Sequence, residues 1–216
     1  GLVGVAPHHN SISRYMLDPN VRPILTQLIE VSAKPLAAVE THFAADATGF
    51  GTSTYSRWFD HKWGKDTRRQ RWIKAHAMVG TRTNVVTAVT VTESHVNDTT
   101  QLPDLLATTS QNFNMEEISA DKAYLSNQNL MTVEAHGATP FVPFKTDSVL
   151  GEHSTSAWSR MWGLFWFRRE EFLRHYHRRS NVETTFHMIK AKLGGRVRAK
   201  KLESQMNEVL CKILCH

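Results

Sequence analysis

Between Tyr176 and Leu193 the sequence YHRRSNVETTFHMIKAKL places two different stripes on one helix, and no other stretch narrows the possible folds as far. Val182, Phe186, Ile189 and Leu193 recur at helical spacing and form an apolar face that needs a core to cover it. Tyr176, Arg179, Glu183 and Lys190 follow at steps that, at about 100° per residue, gather them within roughly 80° of arc, together with His187. A phenol, a guanidinium, a carboxylate, an imidazole and an ammonium thus share the rim of a buried face, where a helix can carry a site without burying unpaired charge. The plain alternative is a solvated face of Glu and Lys or Arg pairs. Gly194 and Gly195 stop the helix, which the pattern begins near Arg169.

The remaining segments indicate what this helix packs on. Residues 12–40 have helical periodicity broken at Pro23 and Pro35, which predicts two short helices. His42 to Phe50 reads as a strand, with Tyr55 to Trp63 as its expected antiparallel partner. Trp72 to Val79 and Asn84 to Glu93 read as a further pair around Gly80, giving consecutive strands in a meander. A helix near 99–110, a short strand at 117–121, a helix at 126–136 and a strand at 139–144 follow. Antiparallel strands succeeded by alternating helices and strands imply an α/β fold, a mixed sheet with helices on its faces.

The chain has 216 residues, 41% of them hydrophobic, which suits one sizeable domain. No stretch approaches a membrane span and the first residues lack a signal peptide's pattern, so a soluble, cytoplasmic protein without membrane partners is expected. Cys211 and Cys215, four apart in a helical pattern, read as two small buried thiols. The chain begins at Gly1 and stops at His216 inside an apolar run, and so reads as a piece of something longer.

Net charge is +6, unevenly spread. Arg168 to Lys201 holds eleven Lys or Arg against three Glu, so the rest of the chain is slightly acidic. Positive charge clustered around the helix stripe points to a polyanion, DNA or RNA. Arg68, Arg69, Arg71, Arg196, Arg198, Lys200 and Lys201 are candidate backbone contacts or solvated loop charges.

Two further carboxylates stand out. Asp46 lies mid-strand among small and apolar residues, where Asp is disfavoured and needs donors or a cation, unless it caps a local turn toward Thr48. Asp121 ends a short strand, where it serves equally as an N-cap. Two strand Asp and one helix Glu beside Arg and Lys form a set suited to metal-assisted phosphoryl transfer, in which carboxylates hold two divalent ions about 4 Å apart.

The segments AADATGF around Asp46, ISADKAY around Asp121 and YHRRSNVETTFHMIK around Glu183 resemble the DDE transposases of bacterial and archaeal insertion sequences, in the subgroup with a Tyr-Arg-Glu-Lys signature. The resemblance implies an RNase H-like five-stranded sheet flanked by helices, with Asp46, Asp121 and Glu183 as catalytic, metal-binding residues for two Mg²⁺ ions, Mn²⁺ serving as surrogate. It implies that Tyr176, Arg179 and Lys190 bind DNA phosphates near the cut end, that element ends and target DNA are the partners, and that a homodimer works on paired ends. On this basis 1–40 is a helical lead-in ending a missing N-terminal region, 41–200 the catalytic domain, and 201–216 the start of a truncated helix. An RNase H-like nuclease without strand transfer and a non-catalytic DNA-binding remnant are the rival readings.

Other residues are set aside. Asp98 follows a strand with His95 nearby and rivals the triad as a metal ligand, but reads better as a helix cap toward Gln101. The histidines lack Cys partners at zinc spacing. Trp158, Trp162 and Trp166 stand four apart as a core stripe, although related transposases stack an aromatic of this region on a displaced base.

Overall fold

The computed structural model describes residues 4, 6–52, 72–152 and 154–216. Strands β1 (His42–Gly51), β2 (Trp72–Gly80), β3 (Val86–Glu93), β4 (Glu117–Ala120) and β5 (Thr139–Phe141) form one sheet in the order β3-β2-β1-β4-β5. The first three pair antiparallel, whereas β4 runs parallel to β1 and β5 parallel to β4. The mixed sheet expected from the sequence is present. Strand β1 pairs antiparallel with β2, with Phe43 opposite Gly80 and Gly51 opposite Trp72. On its other edge β4 pairs with residues 42–45 of β1; the expected strand 55–63 lies outside the described residues.

Alternation along the central strands divides the core in two. On one face Phe43, Ala45, Met78, Ile118 and Ala120 meet helices α3 (Leu102–Ser110), α4 (Asn127–Ala135), α5 (Ser156–Phe167) and α6 (Arg169–Tyr176) through Leu105, Leu130, Met161 and Phe172. On the other, Ala44, Phe50, Ala75, Ala77 and Val79 meet α2 (Val21–Ala33), α7 (Ser180–Leu193) and α8 (Leu202–Leu214) through Ile29, Phe186, Ile189 and Leu210. A short α1 (His9–Tyr15) precedes α2. Helices α2 and α8, from segments 1–40 and 201–216, thus share the core of the sheet.

Local chemistry starts and stops these helices. Ser126 and Thr155 cap α4 and α5 by accepting from the Asn129 and Trp158 N–H groups at 3.0 and 3.1 Å. Gly194 ends α7 at φ +83°, a value that suits glycine. The helix expected from 169 to 193 is not continuous: a 3₁₀ turn at His177–Arg179 separates α6 from α7. Cysteines 211 and 215 are both free; Cys215 is exposed rather than buried, because it lies just past the end of α8.

Candidate active site

The parallel pairing of β1 with β4 sets Ala45 opposite Ala120, so the next residue in one strand, Asp46, lies beside the residue that leaves the other, Asp121. Asp46 shares the strand face of Ala44 and Phe50, which α7 covers. Its Oδ1 accepts from the Ala47 N–H at 2.8 Å. Asp121 accepts from the Lys122 N–H at 2.6 Å and caps a 3₁₀ turn, Lys122–Tyr124. Asp121 thus does cap the turn that follows it, whereas Asp46 takes its neighbour's N–H within the strand and caps no turn toward Thr48; each keeps its second carboxylate oxygen outside that contact.

Arg179, in the turn between α6 and α7, spans the site. Its Nη1 donates to Asp46 Oδ2 at 2.8 Å and its Nη2 to Glu183 Oε1 at 2.5 Å. Burial pushes the Asp46 carboxyl above its ordinary pKa; the Ala47 N–H and Arg179 pull it down, and the Asp121 and Glu183 carboxylates push it up again. Three acids thus converge closely enough to repel one another, and a guanidinium holds two of them together. Burial disfavours the Arg179 cation, yet Tyr176, Asp46 and Glu183 outweigh it and leave its pKa raised.

The rest of the stripe is distributed around this centre. Tyr176 lies half-buried against Phe172, with the Arg179 guanidinium over its ring at 5.8 Å. Lys190 reaches one position past Ala47 to donate to Thr48 Oγ1 at 2.6 Å, over the Phe50 ring, and burial lowers its pKa. His187 is exposed. Of the loop cations, Arg196, Arg198, Lys200 and Lys201 are exposed, while Arg68, Arg69 and Arg71 lie outside the described residues.

Asp98 corrects its expected role. Asn97 caps the following turn by accepting from the Thr99 N–H, and Asp98 instead takes the Lys74 ammonium at 2.6 Å. Lys74 shares the face of Met78, so this pair sits across the sheet from the face of Asp46. Trp158 and Trp162 spend their indole N–H groups on the Val149 and Ser148 carbonyls at 3.2 Å each, which leaves Trp166, 40% exposed, as the most open of the three.

Sequence reasoning missed Tyr124, which is fully buried with no partner for its hydroxyl and lies near enough to Asp46, Asp98 and Asp121 for their charges to raise its pKa further. The available signal was an aromatic three residues after Asp121, folded back by its N–H bond to the Asp121 carbonyl at 2.9 Å. It missed the Glu117 hub as well, which pairs with His42, His175 and Arg178.

Among the described residues no three Asp, Glu, His or Cys side chains stand as a ready-made metal site, and Arg179 occupies the space between Asp46 and Glu183 where a cation would fit. Three antiparallel strands followed by two parallel ones, with helices on both faces, make the RNase H-like fold of enzymes that process polynucleotides. Residues 37–216 match the family model described as the Transposase DDE domain, and the chain belongs to that family. It is therefore a transposase catalytic domain with DNA as its substrate, in a family that generally uses divalent metals. No curated protein matches the chain.

Proposed function

We propose that Asp46, Asp121 and Glu183 are the catalytic carboxylates, that they hold Mg²⁺, and that Tyr176, Arg179 and Lys190 grip the DNA backbone beside them, as the Tyr-Arg-Glu-Lys subgroup would. The observation that carries this reading is the Arg179 guanidinium lying between Asp46 and Glu183 with Asp121 beside them. Asp121 and Glu183 make ionisation of Asp46 costlier, a nearby positive charge offsets this, and the Arg179 guanidinium is placed to supply one. The donor set is all oxygen and partly open, with Glu183 exposed, which suits a hard ion that retains water. When bound, the metal would activate an attacking oxygen and stabilise the leaving one.

The protein's own groups do the rest. The Ala47 and Lys122 N–H groups fix the rotamers of Asp46 and Asp121, leaving each carboxylate its other oxygen. A guanidinium prefers a phosphate fork as readily as a carboxylate, so Arg179 can turn from the acids to a DNA phosphate as these acids take up metal. Lys190 adds a point charge at the C-terminal end of β1, and Tyr176 a hydroxyl. Cleavage at an element end followed by strand transfer through the freed 3′-hydroxyl then uses one site twice. Joining two ends takes two such sites, so the reading includes a homodimer, which sedimentation of the DNA-bound chain reads.

Mn²⁺ titration of the chain and of Asp121→Asn tests the assignment. The parent should bind Mn²⁺ and the variant should lose that binding, with metal-dependent cleavage lost in Asp46→Asn and Glu183→Gln while DNA binding stays. Equal Mn²⁺ binding by parent and variant would remove Asp121 from the site.

A further inference from the structure

Arg178 and Arg179 are consecutive but serve different places. Arg179 turns to the carboxylates, whereas Arg178 pairs with Glu117 at 2.7 Å and lines a cleft of about 380 Å³ with His42, Arg82 and Asn181. This cleft lies at the start of β1, and Asp46 is four residues further along the strand, about 13 Å away at roughly 3.3 Å per residue. That is close to four base-pair rises of about 3.4 Å.

The cleft has a built frame. Glu40, 1% exposed, accepts from the Arg82 N–H at 3.0 Å, the Thr83 N–H at 2.9 Å and the Thr83 hydroxyl at 2.9 Å. Its side chain fills the space above Gly80, where an added Cβ would come within 2.5 Å. From the other side the Asn181 amide of α7 donates to the Thr81 carbonyl at 2.5 Å. The β2–β3 turn is thus fastened both to the lead into β1 and to the helix that carries Glu183, and Arg82 projects from it.

The charges there do not cancel evenly. The Glu40 carboxylate is satisfied by its three donors. Glu117 is shared by His42 at 3.4 Å, His175 at 2.9 Å and Arg178 at 2.7 Å, three nitrogen partners on one acid. Glu116 lies 3.8 Å from His42. Among the described residues the exposed Arg82 makes no ion pair, and its side chain lines the cleft while only its backbone N–H meets Glu40.

We propose that this cleft is a second anion site, in which Arg82 and Arg178 hold a backbone phosphate of the DNA running from the carboxylates past the His177–Arg179 turn. The site rests on the DNA-processing reading above and adds to it a fixed point away from the reacting phosphate. Phosphate contacts of this kind set register and orientation without reading bases.

The test is the salt dependence of binding to a labelled duplex DNA of arbitrary sequence, read by fluorescence anisotropy in parent, Arg82→Ala, Arg82→Lys and Arg178→Ala. One lost phosphate contact lowers the slope of log K against log salt by about 0.9. Arg82→Ala and Arg178→Ala should each show that loss and bind several-fold more weakly, Arg82→Lys should keep the parent slope, and Mn²⁺ binding should persist in all. A parent that binds DNA with the same slope as both alanine variants overturns the cleft alone. A parent that binds no DNA overturns the functional reading and the cleft with it.

Discussion

Among the described residues Tyr124 is the largest side chain buried completely, and its hydroxyl is left without a hydrogen-bond partner. Burial pushes the phenol above its ordinary pKa, and Asp98, Asp46 and Asp121 push it further, so it stays a protonated donor facing acids. A buried donor without a partner costs about 1–3 kcal/mol. Tyr124→Phe keeps the ring and removes that cost, so the urea midpoint of the metal-free chain should rise, by about 1 kcal/mol of stability; a lower midpoint would show that the hydroxyl is already bonded to something. Of the acids beside it, Asp46 stood out in the sequence because Asp is unwelcome mid-strand and Asp121 because it ends a short strand, while Asp98 read as a helix cap. Tyr124 did not stand out, since an aromatic in ADKAY looks like any core residue until its hydroxyl is seen without a partner.

Elements were read from periodicity, which finds a strand or a helix but not its partner. The strand was legible as His42 to Phe50 with Gly49 near its end, yet pairing depends on register over the whole sheet, and Trp72–Gly80 supplies nine matched positions against β1. In the same way the stripe from Tyr176 to Lys190 fits one continuous helix, while the 3₁₀ turn at His177–Arg179 is a local tightening that spacing alone does not reveal. That turn is also what separates Arg178 from Arg179 in direction. Two glycines show how context, not residue type, decides an element's tolerance. Gly163 lies within α5 with nothing near an added Cβ, so Gly163→Ala should stabilise by about 0.5–1 kcal/mol. Gly80→Ala drives a methyl into the buried Glu40 side chain and should cost about 1–3 kcal/mol, loosening the turn that carries Arg82. Urea unfolding of the two variants checks both signs, and a stabilised Gly80→Ala would mean that Glu40 yields freely.

At the scale of the whole molecule, the two cores have one sheet as their common wall. Ala44 and Ala45 are neighbours in β1, each fully buried, and belong to opposite layers. A side chain on one face therefore supports strands whose other face is packed by different helices, and loss of either layer exposes the apolar back of the sheet to water. This geometry argues for a single cooperative unit in which α2 and α8 stabilise helices they do not touch. Leu210 on α8 is 1% exposed in the layer behind Ile29 and Ile189, and Leu210→Ala should cost about 2–5 kcal/mol. Trp158 and Trp162, partly buried against the opposite layer, provide an intrinsic signal from the far side of the sheet. If the molecule unfolds as one, tryptophan fluorescence and far-ultraviolet circular dichroism will shift to the same lower urea midpoint in Leu210→Ala. A fluorescence midpoint that stays at the parent value while the dichroism moves would instead show that the layer bearing α3 to α6 holds together without α8, and that the carboxylates on β1 and β4 can remain positioned when one face of the sheet has opened.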